Sequence, residues 1–98
     1  MGTGQEKIKY QIEISPEASN RLSQLDISIR DRIVRKIDWL SENANIIAHH
    51  QLKSLPDDLK GFCRIHSGDW RILYWISHEK QKIWIFRIEH RSKVYRKL

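Results

Sequence analysis

The first residues with a clear pattern alternate between apolar and polar side chains, as in a strand that is buried on one side. The alternation runs from Lys7 to Ile14, and its apolar members are Ile8, Tyr10, Ile12 and Ile14. It ends at Ser15-Pro16, where a serine hydroxyl can cap a helix and a proline suits the first helical turn. The pattern therefore predicts a first strand over Lys7–Ile14 that leads directly into a helix.

Two stretches with apolar residues at helical spacing follow. The first has one apolar face and predicts a short helix; this face consists of Ala18, Leu22 and Leu25. The second should begin near Ser28, which has the spacing of an approximate capping box with Asp31. Its apolar stripe consists of Ile29, Ile33, Ile37 and Leu40. Two consecutive helices of this kind usually form an antiparallel hairpin that lies on a sheet.

After a turn signal at Pro56-Asp57-Asp58, the sequence returns to strand patterns. Three strands are predicted, over Leu59–Ile65, Trp70–Ile76 and Lys82–Ile88. The connections between them are short and polar, which implies antiparallel hairpins; residues 92–98 could be a helical turn or a strand extension. The predicted fold is α+β, with a small antiparallel sheet of about four strands in the order strand-helix-helix-strand-strand-strand and a helical hairpin on one face.

Length and composition limit the class of protein. With 98 residues and 40% hydrophobic content, we expect a single domain over residues 1–98, of which residues 1–6 form a flexible lead-in. No apolar run approaches the roughly 20 residues of a membrane span, and no signal peptide is evident, so we expect a soluble, cytoplasmic protein. Cys63 is the only cysteine, which rules out an internal disulfide and a thiolate-rich zinc site. We interpret it as a core residue, and we expect no metal and no cofactor.

Basic residues are concentrated in the second half of the chain. The formal net charge is +6; residues 1–48 contain seven basic and seven acidic side chains, whereas residues 49–98 contain eleven and five. A localised basic surface attracts polyanions, and nucleic acid is the commonest of these in a cytoplasm. The charge alone is equally compatible with a basic protein that binds no nucleic acid.

Three segments of this basic half are similar to those of a known toxin family. They are Leu52-Lys53-Ser54-Leu55-Pro56, the strand Ser67-Gly68-Asp69-Trp70-Arg71-Ile72-Leu73-Tyr74, and the ending His90-Arg91-Ser92-Lys93-Val94-Tyr95. Together with the element order, they resemble the RelE/ParE superfamily of type II toxin-antitoxin systems, and the ending resembles the RelE branch. The resemblance spans roughly residues 8 to 96, with Asp69 as an extra residue in the second segment.

The resemblance implies a ribosome-dependent, metal-independent endoribonuclease that is neutralised by an antitoxin. In the RelE branch, the 2′-hydroxyl of an mRNA nucleotide in the ribosomal A site attacks the adjacent phosphate. Such a reaction needs removal of the hydroxyl proton, stabilisation of charge at phosphorus and protonation of the leaving oxygen. By position in the motifs, the catalytic candidates are Arg71, His90, Arg91 and Tyr95.

Three of the four candidates also have a plain structural interpretation. Arg71 suits a pair of phosphate oxygens, but it could instead pair with Asp57, Asp58 or Asp69 at a strand edge. Tyr95 could stack on a base or pass a proton beside Arg91, or it could pack on the end of the sheet. His90 is a natural acid or base, although a histidine at a strand end is more often a surface residue.

Further basic residues are expected to bind RNA phosphates, and they are Lys53, Lys60, Arg64 and Lys93. On a regular strand, Lys60, Arg64 and His66 share one face with Phe62. One position departs from the RelE pattern: Glu89 stands where another arginine is common, two residues before Arg91. Two alternatives therefore stay open, a ParE-type inhibitor of DNA gyrase and a catalytically inactive module bound to an antitoxin.

Overall fold

The computed structural model describes residues 8–50 and 62–92, and its elements follow the predicted order. They are β1 (Gln11–Ile14), α1 (Pro16–Ser23), α2 (Ile27–Asn43), β2 (Cys63–Ser67), β3 (Trp70–Ser77) and β4 (Lys82–His90). The strands form one sheet in the order β1-β4-β3-β2. The predicted α+β class and element order are therefore confirmed.

One strand departs from the predicted sheet. The pairs β2–β3 and β3–β4 are antiparallel, as their short connections predicted, but β1 pairs with β4 in parallel, with Ile12 beside Ile83. The sheet is mixed, and the expectation of an antiparallel sheet is wrong for β1. No hairpin joins β1 to β4, because both helices and two strands intervene; the short-loop argument that fixes antiparallel pairing therefore does not apply at this edge.

β1 begins at Gln11 because the backbone of Tyr10 is bonded to a helix. The Tyr10 N–H donates to the Ser41 carbonyl at 3.0 Å, and the Ser41 hydroxyl donates to the Tyr10 carbonyl at 2.8 Å. The predicted start, Lys7, lies outside the described residues.

The two helices begin in different ways. α1 is capped as predicted, since the Ser15 hydroxyl accepts from the Ala18 N–H at 3.0 Å and Pro16 is the first helical residue. α2 has Asp26 as its N-cap, without a side-chain cap hydrogen bond, so the expected capping box at Ser28 is wrong. Neither described helix combines the length and the apolar character that a membrane span needs.

The core lies between the helices and one face of the sheet. Cys63 belongs to it, as predicted. Ile72 and Tyr74 of β3 are also buried there, whereas Leu73 between them is only half-buried and Trp75 is exposed. Because side chains alternate between faces along a strand, Arg64, His66 and Arg71 point to the opposite face, which we call the outer face.

A β-bulge keeps further charged residues on the outer face. Across β3 and β4, Tyr74 pairs with Ile85 whereas Leu73 pairs with Arg87, so Phe86 is an extra residue on β4. The extra residue shifts the alternation by one position. As a result Ile88 faces the core, and Arg87 and Glu89 lie on the outer face with Arg71.

Candidate functional site

The candidate site is built on the tight turn between β2 and β3. Ser67 pairs with Trp70, so the loop contains only Gly68 and Asp69. Gly68 has a positive φ of 60°, which a glycine adopts without steric cost and which suits the first central residue of a type II′ hairpin turn. The two-residue loop fixes the pairing of the strands on either side.

This pairing places three ionisable side chains in one row on the outer face. Arg71 lies between His66 of β2 and Glu89 of β4. Directly opposed residues on neighbouring strands have Cβ atoms roughly 4.5–5.5 Å apart, so the two side chains start from adjacent positions on this face. His66 is exposed and Arg71 is half-buried.

The Arg71 side chain folds back over the turn. Its Nη1 donates to the Gly68 carbonyl at 2.9 Å and to the Trp70 carbonyl at 3.3 Å. Within residues 8–50 and 62–92 it makes no ion pair, and Asp69, one of its suggested partners, pairs with Arg91 instead. The other two, Asp57 and Asp58, lie outside the described residues. Two backbone carbonyls thus orient the guanidinium without neutralising its charge.

Arg91 is held by the same turn. Its N–H donates to the Asp69 carbonyl at 2.8 Å, and its Nη1 lies 3.7 Å from an Asp69 carboxylate oxygen. Both side chains of this ion pair are more than half exposed, at 58% and 67%. The structure therefore brings Arg71 and Arg91 to one turn, with Arg91 weakly restrained by a carboxylate.

His90 lies on the other face of the sheet. It pairs with Trp70, whose ring it contacts edge-on at a centroid distance of 5.4 Å. The Ser92 N–H donates to its Nδ1 at 3.4 Å, and the Ser92 hydroxyl lies 3.1 Å from the same atom. An accepting Nδ1 leaves the proton of the neutral ring on Nε2. Arg71 pairs with Glu89, and successive residues of a strand face opposite sides of the sheet. His90, which follows Glu89, therefore points away from Arg71.

Glu89 is compensated by a neighbouring arginine. Its carboxylate is buried and lies 3.2 Å from Nη1 of Arg87, whose Nε lies 3.2 Å from a carboxylate oxygen of Glu17 in α1. Within the described residues, the Arg87 Nε donates no hydrogen bond, so its contact with Glu17 is an ion pair only. Arg87 is thus shared between two carboxylates, and Glu89 is not paired with Arg71.

The remaining candidates fall in two groups. Arg64 lies on the outer face beside Leu73, and its N–H donates to the His50 carbonyl at 2.9 Å. The others lie outside the described residues: Lys53, Lys60, Lys93 and Tyr95. Among the described side chains, no group of three or more His, Cys, Asp or Glu is arranged to hold a metal ion.

A second feature, an aromatic pocket, lies on the outer face at the opposite end of the sheet. It has a volume of about 660 Å³ and is lined mainly by Phe62, Trp75, Trp84 and Phe86, with Ile14 and Pro16 at its β1 side. The Phe62 ring lies 5.4 Å from that of Trp75 and 4.7 Å from that of Phe86. Trp75 is 49% exposed, so an apolar surface stays accessible there.

His66 is the site residue that sequence reasoning placed only in a basic row with Lys60 and Arg64, and not among the catalytic candidates. The signal was present, because a two-residue loop at Gly68-Asp69 pairs His66 with Arg71. The strand predicted over Leu59–Ile65 ended one residue before His66, and this early end hid the pairing.

Comparison with known proteins identifies the family. Residues 12–95 match the ParE toxin family of type II toxin-antitoxin systems, parDE. The chain belongs to this family. The matched residues include all of the sheet except Gln11, both helices and the turn that holds Arg71 and Arg91 of the toxin. No curated protein matches the chain.

Solved structures agree with the family at the level of the fold. The RelBE2 toxin-antitoxin complex of Mycobacterium tuberculosis matches with a TM-score of 0.70 at 24% identity, covering 89% of the toxin and 97% of that chain. The RelE–RelB complex of Pyrococcus horikoshii matches with a TM-score of 0.67 at 19% identity, covering 87% and 98%. The intact RelBE complex of E. coli gives 0.65 at 19%, covering 83% and 95%. These likenesses confirm the RelE/ParE superfamily fold.

Proposed function

We propose that the toxin is an endoribonuclease that cleaves mRNA in the ribosomal A site by 2′-hydroxyl attack. The observation that carries the proposal is the pair of guanidinium groups, Arg71 and Arg91, at one turn with His66 beside Arg71. Two guanidinium groups can bind the oxygens of a phosphate. A neighbouring imidazole can remove the proton from the 2′-hydroxyl beside that phosphate.

The reaction needs no group beyond those of the RNA and the protein. The 2′-oxygen gives its proton to a base and forms a bond to phosphorus, and the bond from phosphorus to the 5′-oxygen breaks. The leaving 5′-oxygen takes up a proton, which gives a 2′,3′-cyclic phosphate and a 5′-hydroxyl. Arg71 stabilises the charge that develops on the phosphorane oxygens, Arg91 binds the same or the next phosphate, and Tyr95 remains the proposed donor to the leaving oxygen.

Two histidines are candidates for the base. His66 shares the outer face with Arg71, whereas His90 lies on the opposite face against Trp70. Proton transfer requires hydrogen-bond reach between the base and the hydroxyl, so the position of Arg71 favours His66. The substitutions His66→Gln and His90→Gln separate the two, since only loss of the base should strongly lower the rate of cleavage.

We further propose that the antitoxin covers the outer face through an amphipathic segment. Acidic side chains of such a segment would lie over Arg71 and Arg64, and its apolar side chains would fill the aromatic pocket around Trp75. This arrangement would block the RNA site and bury the exposed indole together.

Toe-printing of mRNA in a translating extract tests the nuclease directly. The toxin should truncate the message only when ribosomes are present, and Arg71→Ala should lower cleavage on the order of a hundredfold or more while the protein stays folded. Arg30→Ala, which changes an arginine of α2 away from this turn, is the matched control and should cleave normally. Intact message with the unaltered toxin would overturn the proposal, and unaffected growth on induced expression would favour an inactive module.

The family match favours a second candidate, a ParE-type inhibitor of DNA gyrase. A gyrase inhibitor of this fold carries out no RNA cleavage, so it does not need a base next to Arg71. The carboxylate of Glu89 beside Arg71, which would repel an RNA phosphate, does not count against this function. Supercoiling assays with purified gyrase distinguish the two functions, because only this candidate predicts inhibition.

A further inference from the structure

A basic groove lies between α2 and the end of β2. One wall consists of four residues of α2, Arg32, Arg35, Lys36 and Trp39, and the other wall is the end of β2 and the following turn at residues 66–68. The groove is shallow and open, with a volume of about 490 Å³. We call it the α2 groove.

The four α2 residues form one continuous strip. Their spacing of three and four residues places them on one side of a helix, over a length of about 10 Å. Within the described residues, none of the three cations makes an ion pair, although Asp31 and Asp38 stand one turn from Arg35 on the adjacent side of the helix. The strip therefore keeps its positive charge.

Trp39 gives the strip an exposed aromatic surface. Its side chain is 41% exposed, and the Lys36 ammonium lies 4.5 Å from its ring centroid. Cations that can follow a phosphate backbone, next to an indole on which a base can stack, are the combination found in proteins that bind single-stranded nucleic acid.

The α2 groove is continuous with the turn that holds Arg71. Gly68 lines the groove, and its carbonyl accepts the hydrogen bond from the Arg71 guanidinium at 2.9 Å. A strand of RNA that occupies the groove would therefore leave it at the proposed cleavage residues.

We propose that the α2 groove binds single-stranded RNA, with its phosphates on Arg32, Arg35 and Lys36 and a base stacked on Trp39. The inference rests on the proposed nuclease function for the choice of RNA as the ligand. An acidic protein segment could also form ion pairs with the three cations. Carboxylates would not stack on the Trp39 ring as a base does, however, and such a segment would not explain why the groove leads to the turn that holds Arg71.

Fluorescence anisotropy with a labelled 2′-O-methyl RNA oligonucleotide tests the groove, because this ligand has no 2′-hydroxyl and cannot be cleaved. The triple substitution Arg32→Ala/Arg35→Ala/Lys36→Ala in the full chain should weaken binding at least tenfold. It should also lower the slope of log Kd against log salt concentration by about two, since three phosphate contacts to a single strand contribute about 0.7 each. Trp39→Ala should weaken binding about tenfold and leave the slope unchanged.

The control is Arg30→Ala, which removes a cation of the same helix outside the groove and should change neither quantity. Wild-type affinity and slope in the triple variant, with its fold verified by circular dichroism, would overturn the proposal. So would a variant that binds RNA normally but loses its antitoxin, since the groove would then belong to the protein partner. If RNA binding depends on the groove but toe-printing shows no cleavage, the nuclease proposal is wrong and the groove proposal stands. If the toxin cleaves mRNA but the triple substitution leaves RNA binding unchanged, the groove proposal is wrong and the nuclease proposal stands.

Discussion

At the scale of single residues, Asp69 decides how available Arg91 is. Its carboxylate lies 3.7 Å from the Arg91 guanidinium, and both side chains are largely exposed. An exposed ion pair of this kind contributes about 0–1 kcal/mol to stability, yet its carboxylate also repels a phosphate at the same place. We expect Asp69→Asn to leave the free energy of unfolding nearly unchanged and to strengthen RNA binding several-fold, measured by anisotropy with the 2′-O-methyl oligonucleotide. Glu79→Gln, an exposed carboxylate in the distant β3–β4 turn, should have no comparable effect; equal gains in both variants would indicate net charge alone.

Tyr74 is a single residue whose ionisation should limit stability in alkali. Burial raises its pKa well above the ordinary value, and the neighbouring Cys63 adds to the shift. A raised pKa in the folded state means that the neutral hydroxyl stabilises the fold fully below the ordinary tyrosine pKa of about 10, and that this contribution is lost as the pH rises towards the folded pKa.

The Tyr74→Phe variant makes this testable. At pH 7 it should lose about 1–2 kcal/mol, because the hydroxyl lies 2.6 Å from Nδ1 of His49, whose Nε2 already contacts the Ala44 carbonyl. Between pH 7 and about 10.5 the variant should lose less stability than the unaltered protein, as measured by urea unfolding at each pH. Burial also raises the pKa of the Cys63 thiol, but Cys63 is present in both proteins, so an equal alkaline decline would contradict the role of Tyr74.

At the scale of elements, Ser15 connects the end of β1 with the start of α1 and with β4. Its hydroxyl accepts from the Ala18 N–H at the start of α1 and donates to the Phe86 carbonyl of β4 at 2.7 Å, and its N–H donates to the Ile85 carbonyl. We expect Ser15→Ala to cost about 1–3 kcal/mol, the sum of a lost helix cap and a lost hydrogen bond, as measured by urea unfolding. Ser15→Thr should recover most of it. Ser23→Ala, which removes an exposed hydroxyl from the same helix, should cost far less, and an equal loss at both serines would refute the connecting role.

The elements also show what periodicity can and cannot predict. The spacing of Ile83, Ile85 and Ile88 changes from two to three residues, and this change marks the bulge that turns Arg87 and Glu89 outward. The parallel pairing of β1 has no such local signal, because it depends on contacts between residues about seventy positions apart, such as Ile12 with Ile83. Likewise, the start of β1 could not be predicted from its alternation, since Tyr10 bonds to Ser41 of α2 and not to a strand.

At the scale of the whole molecule, the sequence located the basic half but not the distribution of charge in three dimensions. A count along the chain finds residues 1–48 neutral, yet α2 separates its charges, with Arg32 and Lys36 in the groove and Asp38 on another side. The motifs named Arg71 and Arg91 as site candidates, and the structure places both at one turn. They could not show that His90 faces away from Arg71, because the face of a strand residue depends on register and on the bulge.

The two exposed tryptophans should separate the binding partners of the molecule. Trp75 lines the aromatic pocket on the outer face, whereas Trp39 lies in the α2 groove, and the two are similarly exposed, at 49% and 41%. Large aromatic side chains at the centre of protein interfaces often contribute about 2 kcal/mol or more to binding, which corresponds to roughly a thirtyfold change in Kd. We therefore expect Trp75→Ala to weaken the antitoxin complex about thirtyfold in calorimetric titration and to leave RNA binding unchanged. Trp39→Ala should weaken RNA binding and leave the antitoxin complex unchanged.

Each variant controls for the other, because both lose the same side chain from a partly exposed position. If both variants weakened the antitoxin complex equally, the antitoxin would extend over α2 as well, and the division of the surface between RNA and protein would be wrong.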